Sequence, residues 1–132
     1  FPTLYAELAD RGASVITVSA SWGAGTGKLD QWTLLARARA LDSGCFIAAS
    51  GQGYPGPELA AVKAPTGVGG SLVASPLGEV LAAAGPQPDL LVCGLAVDTV
   101  ATVRDTVGAL RNRVEFDRTD RLAAADRAES RR

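Results

Sequence analysis

The apolar positions in the first 50 residues change period three times, and each change predicts a new element. An apolar stripe at helical spacing follows Pro2 and stops at Gly12, which predicts a first helix. Residues 14–18 carry β-branched side chains typical of a buried strand. After a glycine-rich loop, a second helical stripe ends by Gly44, and the apolar run 45–50 predicts a second strand covered on both faces.

The second half of the chain predicts a connecting segment, a hairpin, a last strand and a last helix. Residues 51–70 are dense in glycine and proline, so we expect an exposed connection with at most a short helical turn. Residues 71–75 and 79–84 flank a Pro-Leu-Gly turn and predict a hairpin. A last strand is expected at residues 89–95, and a helix at residues 98–110.

Polar residues near two of the helix starts are candidate caps. Asp30 or Thr26 is expected to cap the second helix, and Asp98 or Thr99 the last one. The order of helices and strands, followed by a hairpin, favours a layered α/β fold. We expect one domain over residues 1–115 and a charged, solvated tail over residues 116–132, with a partner-binding segment as the alternative interpretation of the tail.

Composition excludes several function classes. Hydrophobic residues make up 47% and charged residues 20%, with a net charge of -1 and no histidine. No basic patch indicates nucleic acid or a membrane surface, and no apolar run is long enough to span a bilayer, so we expect a cytoplasmic protein. The absence of histidine removes Ser-His-Asp and HExxH chemistry within this chain. Because the chain has no methionine and begins with Phe1, we expect a fragment or a processed piece.

Neither cysteine is expected to be a nucleophile. Cys45 and Cys93 both lie in apolar strand-like runs, where cysteine is usually a buried small hydrophobe. Cys45 also follows the predicted C-terminus of a helix, whose negative dipole end disfavours a thiolate.

The loop GAGTGK, residues 23–28, lies between a strand and a helix, the setting of a phosphate-binding loop. The spacing argues against that interpretation, because Trp22 stands where the first glycine of a P-loop is needed and Leu29 where a hydroxyl is needed. A plain turn between strand and helix is the favoured alternative.

Three blocks together carry a family resemblance: residues 1–13, residues 15–52 and residues 67–81. The most specific part is ARARALDSGCF, residues 36–46. The chain resembles the C-terminal half of a carbon–nitrogen hydrolase of the nitrilase superfamily, closest to the Nit-type amidases. This resemblance implies an α/β fold that forms the C-terminal part of a four-layer α-β-β-α sandwich.

The resemblance also implies a function and a site. Such enzymes hydrolyse a small amide to acid and ammonia with a Glu-Lys-Cys triad and no cofactor or metal. The triad is expected ahead of residue 1, so this chain would hold no catalytic residue and would be inactive alone. The substrate-binding residues implied are Trp22, as an apolar wall, with Ser21 and Thr26 as hydrogen-bond donors. For Trp22, simple covering of a sheet edge is the alternative.

Departures from the family pattern leave other interpretations open. Gln31 and Thr33 stand where the family has His and Glu, and Thr3 where a Glu commonly follows Phe-Pro. A non-catalytic interaction module of the same fold is therefore the alternative function. Arg37 and Arg39 are expected to make structural ion pairs or dimer contacts, with a homodimer or higher homo-oligomer expected for the full-length protein.

Overall fold

The computed structural model describes residues 1–57 and 66–114 as three helices and one four-stranded sheet. The helices are α1 (Pro2–Asp10), α2 (Lys28–Ser43) and α3 (Val100–Val107), and the strands are β1 (Val15–Ala20), β2 (Phe46–Gly51), β3 (Leu72–Ala74) and β4 (Val80–Ala83). A single 3-10 turn, Val97–Thr99, leads into α3. The predicted tail, residues 116–132, lies outside the described residues.

The sheet runs in the order β1, β2, β3, β4. β1 and β2 are parallel with Ile16 opposite Ile47, as expected for strands joined through a helix. β2 with β3 and β3 with β4 are antiparallel. The predicted α/β class and the hairpin are therefore confirmed in the described residues.

The core lies between one face of this sheet and the helices. Alternate strand residues point to the helix side, as the two-residue period of a strand requires, and α2 covers them with its own buried stripe. Two of the four buried residues of α2 are alanines, Ala36 and Ala40, which let the helix axis approach the sheet closely. The principal members of this cluster are Ala9, Ile16, Trp32, Ala36, Ala40, Ile47, Ala49, Leu72 and Ala74.

The start of α2 differs from the prediction. Its N-cap is Gly27, which adopts a left-handed conformation with φ 71°, and no described side chain caps the helix. Thr26 and Asp30 are therefore not caps, because the turn that the backbone makes at Gly27 puts the cap position between them. The predicted end of the helix is confirmed, since α2 ends at Ser43 with Gly44 as its C-cap.

Arg37 and Arg39, which were expected to make ion pairs or dimer contacts, both bond to groups within the chain. Arg37 donates from Nε to the carbonyl oxygen of Gly78 at 2.7 Å, which ties α2 to the hairpin turn. Arg39 forms an ion pair with Asp42 at 2.9 Å. The structural ion pair expected for Arg39 is thus confirmed, whereas Arg37 forms a hydrogen bond.

The prediction of a last strand at residues 89–95 is wrong. Residues 89–95 pair with no described strand, and Cys93 is half-buried, not buried as predicted. An apolar alternating run becomes a strand only where a neighbour accepts its backbone hydrogen bonds, and no described neighbour does so here. The helix after it is also shorter than predicted, and the Thr99 hydroxyl donates to the Ala96 carbonyl oxygen instead of capping α3.

α3 is tied to the far end of the sheet by one arginine. Arg104 donates from Nη2 to the carbonyl oxygen of Ala13 at 2.5 Å and to the Sγ of Cys45 at 3.0 Å. Ala13 precedes β1 and Cys45 precedes β2, so this contact lies at the amino-terminal ends of the parallel strands. Over the described ranges, no helix has the length and apolar character needed to cross a bilayer.

Candidate functional site

The carboxyl ends of β1 and β2 form one edge of the molecule. Since the two strands are parallel, the loop after β1 and the residue after β2 emerge side by side, and such an edge is where open α/β sheets bind ligands. An open groove of about 390 Å³ follows the edge there. Its lining is made of small and polar residues: Ser19, Ala20, Ser21, Ser50, Gly51 and Gln52. Ser21, implied above as a substrate donor, lies in this groove.

Trp22 borders a second, mostly apolar cavity of about 220 Å³ between the helices and the sheet. Side chains from α1, α2 and both parallel strands surround the space. Among the lining residues are Phe1, Tyr5, Val18, Trp22, Trp32, Arg39 and Ile47. The cavity therefore adjoins Phe1 and carries two indole rings, with room for a small apolar group.

The two indoles define one wall of this cavity. The ring centroids of Trp22 and Trp32 are 6.2 Å apart, with planes inclined by 32°, a tilted arrangement within the range that aromatic pairs favour. Trp32 is buried and donates from Nε1 to the carbonyl oxygen of Gly70 at 2.9 Å. The Nε1 of Trp22 is buried and has no hydrogen-bond acceptor among the described residues.

The backbone around Trp22 is held by a short ladder from residues 66–68. The Val68 N–H donates to the Trp22 carbonyl oxygen at 2.8 Å, and the Ala24 N–H donates to Thr66 at 2.9 Å. Gly23 and Gly67 form the isolated antiparallel bridge between them. Trp22 is therefore positioned by paired backbone, although its own loop contains no regular element.

This ladder depends on a close approach at Gly67. A β-carbon there would lie 2.0 Å from the carbonyl oxygen of Gln52, a distance that no side chain tolerates. Gly67, Gly69 and Gly70 are buried. The expectation of an exposed connection over residues 51–70 is therefore wrong at its end, because glycines allow the backbone to pack where larger residues would force it outward. The short helical turn expected in this stretch falls partly on residues 58–65, which lie outside the described residues.

Positive charge lies beside the aromatic rings. The Nζ of Lys28 lies 5.9 Å from the centre of the Trp22 ring and also donates to the Oε1 of Gln31 at 3.1 Å. The guanidinium of Arg39 lies 5.9 Å from the centre of the Tyr5 ring. Both distances fall within the range of cation–π attraction. The site thus offers apolar walls with two cations near the aromatic rings.

The three residues implied by the resemblance are not brought to one point. Ser21 lines the open groove and Trp22 the apolar cavity, while Thr26 is exposed and lines neither space. Sequence reasoning did not assign Phe1, Tyr5 or Trp32 to a site. The helical stripes containing Tyr5 and Trp32 were the available signal, but such stripes also occur in any helix that packs on a core.

Neither cysteine is placed as a nucleophile, although Cys45 has one cationic neighbour, since the Arg104 guanidinium donates to its Sγ at 3.0 Å. Cys45 is fully buried, its Sγ donates to the Ala13 carbonyl oxygen at 3.1 Å, and it lies at the end of the sheet opposite Trp22. The one described partner of the Cys93 Sγ is the Gly94 carbonyl oxygen, at 3.5 Å. No glutamate or lysine bonds either thiol in the parts of the chain that the structure describes. Within the same parts, no cluster of potential metal ligands occurs.

Residues 1–105 match the family described as Carbon-nitrogen hydrolase. A protein of Mycobacterium tuberculosis strain H37Rv, named as a hydrolase, is 60% identical over 92% of this chain and 45% of its own length. The deaminated glutathione amidase of Synechocystis sp. strain PCC 6803 (Kazusa) is 34% identical over 86% of this chain and 40% of its own. The chain thus spans less than half the length of these relatives.

Solved structures show the same similarity. The C. elegans NitFhit protein superposes with a TM-score of 0.73 at 26% identity, over 86% of this chain and 26% of that one. A mutant of the amidase of Nesterenkonia sp. AN1 superposes with a TM-score of 0.62 at 25% identity, over 94% of this chain and 39% of that one. That amidase carries the acetamide moiety of fluoroacetamide covalently bound at its active site cysteine.

Proposed function

Because the chain belongs to the carbon–nitrogen hydrolase family, we propose that it is the C-terminal half of a cysteine-dependent amidase that converts a small amide to its acid and ammonia. In this proposal the chain supplies the wall of the acyl pocket and one half of a four-layer sandwich. The Glu-Lys-Cys triad belongs to the part of the enzyme that this sequence does not contain. The similarity to the Nesterenkonia amidase, with its acylated cysteine, supports this chemistry.

The observation that carries the proposal is the position of Trp22. It follows the carboxyl end of β1, lines the same cavity as Phe1 and packs against Trp32 in a tilted ring arrangement. The family resemblance implies a triad ahead of residue 1, with the nucleophilic cysteine only a few residues before Phe1. A substrate bonded to that cysteine would then meet the indole of Trp22 with its acyl group, whereas Ser21 and Thr26 lie outside this cavity.

The reaction has two steps in this proposal. The Glu base of the triad takes the thiol proton, and the thiolate adds to the amide carbon. The C–N bond then breaks as the nitrogen takes that proton and leaves as ammonia, which leaves a thioester. Water then attacks the thioester carbon and releases the carboxylic acid and the thiol. The residues of this chain contribute no proton transfer in this proposal, since their role is to orient the acyl group.

The test is ammonia release from acetamide and propionamide. We expect none from the purified chain alone. We expect activity when the chain is co-expressed with the part of the mycobacterial relative that the match leaves out. In that complex, Trp22→Ala should raise KM about tenfold, which corresponds to a loss of ~1.4 kcal/mol of binding. Leu34→Ala, on the exposed side of α2, is the matched control and should leave KM unchanged.

Two results would contradict the proposal. One is a complex that forms but releases no ammonia from any small amide, and the other is activity of the isolated chain that Cys45→Ala abolishes. The first result would favour the alternative, a non-catalytic interaction module. That alternative is supported by Gln31 and Thr33, which replace the His and Glu of the family pattern.

A further inference from the structure

The glycine-rich loop at residues 23–28 ends on Lys28, and its backbone folds this lysine back against the loop. Gly25 has φ 149° and Gly27 has φ 71°, conformations that residues with a side chain rarely adopt. The Lys28 N–H donates to the Gly25 carbonyl oxygen at 3.2 Å. A β-carbon at Gly25 would lie 3.5 Å from the Cγ of Lys28, so the stem of the lysine packs beside this glycine.

The ammonium group of Lys28 lies beside the Trp22 indole. Its Nζ is 5.9 Å from the centre of the Trp22 ring and donates to the Oε1 of Gln31 at 3.1 Å. Gln31 follows Lys28 by three residues on α2, a spacing that makes the two side chains neighbours on the helix surface. The loop glycines and Gln31 together therefore bring a cation to the indole.

The Trp22 ring has no described hydrogen bond that would fix its orientation. Its backbone is paired with residues 66–68, but its Nε1 meets no acceptor among the described residues. The ring is half-buried and contacts Trp32 with planes inclined by 32°. Because pairing of the backbone leaves the side-chain torsions free, the orientation of this ring depends on the side chains around it.

We infer that Lys28 is a positioning residue for Trp22, whose ammonium attracts the face of the indole and holds the ring as a wall of the cavity. Lys28 lines neither the cavity nor the groove, so it acts through Trp22 and does not itself contact the ligand. The effect of this wall on an acyl group rests on the proposed function. The orientation of the indole does not, because both residues belong to this chain.

Nuclear magnetic resonance of the indole N–H groups tests the orientation in the chain without substrate. The chain has two tryptophans, so Trp22→Phe removes one of two indole signals and assigns both. Lys28→Met keeps an apolar stem and removes the charge. In this variant we expect a loss of heteronuclear Overhauser effect at the Trp22 signal, which reports faster motion of the ring. The Trp32 signal is the internal reference, because its N–H is bonded to Gly70.

Two further variants separate the cation–π contact from a general change in charge. Lys28→Arg should keep the Overhauser effect of the unchanged chain, because a guanidinium is also attracted to an aromatic face. Arg11→Met is the matched control, since it removes one positive charge at the exposed end of α1. It should leave both indole signals unchanged.

The complex with the part of the Mycobacterium tuberculosis hydrolase that the match leaves out tests the effect on the reaction. Lys28→Met should raise KM for propionamide about two- to fivefold, as loss of an exposed cation–π contact does, and leave kcat unchanged. In a Trp22→Ala background the same substitution should have no further effect on KM, because the indole through which Lys28 acts is gone.

An unchanged Overhauser effect at Trp22 in Lys28→Met would overturn the inference, and so would Lys28→Arg behaving like Lys28→Met. A KM effect of Lys28→Met that persists without the indole would also overturn it, because Lys28 would then act on the substrate directly. Failure of the proposed function would look different: no variant would hydrolyse an amide, but the Trp22 signal would still respond to Lys28→Met and be preserved in Lys28→Arg.

Discussion

The rings of Trp22 and Trp32 are tilted by 32° with their centroids 6.2 Å apart, but among the described residues only the Trp32 indole has a hydrogen-bond acceptor, the Gly70 carbonyl oxygen at 2.9 Å. The two tryptophans therefore contribute in different ways, one through a hydrogen bond and one through its apolar surface. Trp32 joins α2 to the glycine-rich backbone before β3. Trp22 supplies apolar surface to the cavity, and its N–H meets no described acceptor.

The two tryptophans should differ in their effect on stability. Trp32→Phe removes the donor and leaves the Gly70 carbonyl oxygen unpaired, so it should cost about 1–3 kcal/mol more in unfolding free energy than Trp22→Phe. Urea unfolding followed by far-UV circular dichroism measures both variants against the unchanged chain. Equal losses, or a larger loss for Trp22→Phe, would contradict the role assigned to the Trp32 N–H.

Gly67 should tolerate no side chain. The added methyl group of Gly67→Ala would lie 2.0 Å from the Gln52 carbonyl oxygen, and the resulting displacement should cost about 1–3 kcal/mol. The near-UV circular dichroism of the tryptophans should change as well, because residues 66–68 hold the Trp22 backbone. Gly85→Ala is the matched control, since no described atom lies within 4 Å of the position of its β-carbon. A stable Gly67→Ala variant with an unchanged near-UV spectrum would refute this prediction.

Arg104 should stabilise the domain through the position of its Nη2, not through charge alone. Both contacts come from that one nitrogen, and the side chain of Arg104→Lys keeps the charge but is one bond too short to place its Nζ there. We expect a loss of about 1–3 kcal/mol in unfolding free energy. Arg11→Lys, at an exposed position of the same charge, should change it by less than about 0.5 kcal/mol. Similar values for the two variants would show that the guanidinium geometry is unimportant.

The two thiols should differ in their accessibility to a reagent such as Ellman's. Cys45 is fully buried and Cys93 is half-buried next to exposed Val92. The native chain should therefore release about one equivalent of chromophore quickly and two in urea. Cys93→Ala should abolish the fast phase and Cys45→Ala should keep it. A fast phase that persists in Cys93→Ala would show that Cys45 is reached without unfolding.

The order of the early elements could be predicted from the sequence because their interactions are local. The period of apolar residues, and glycines such as Gly44, depend on neighbours a few positions away, and these predicted α1, β1, α2 and β2 nearly at their observed bounds. The parallel pairing also follows, since a strand, a helix and a strand in succession favour it.

The strand predicted at residues 89–95 marks the limit of that reasoning. The apolar alternation is present in the sequence, and the burial alternates in the structure, but a strand also requires a neighbour for its backbone. Whether such a neighbour exists depends on residues distant in the chain or outside it. The caps predicted at Thr26 and Asp30 were wrong for a related reason, because a turn at Gly27 starts the helix without them.

By itself the sequence determined the family resemblance, the helix and strand order and the choice of Ser21, Trp22 and Thr26 as candidate site residues, because motifs and periodicity are properties of contiguous residues. Only the tertiary structure decided that Trp22 meets Trp32 and Phe1 around one cavity, that Gly67 holds the Trp22 backbone, and that Ser21 faces a separate groove. Those relationships join residues far apart in the chain, and the packing of helices on the sheet sets their distances.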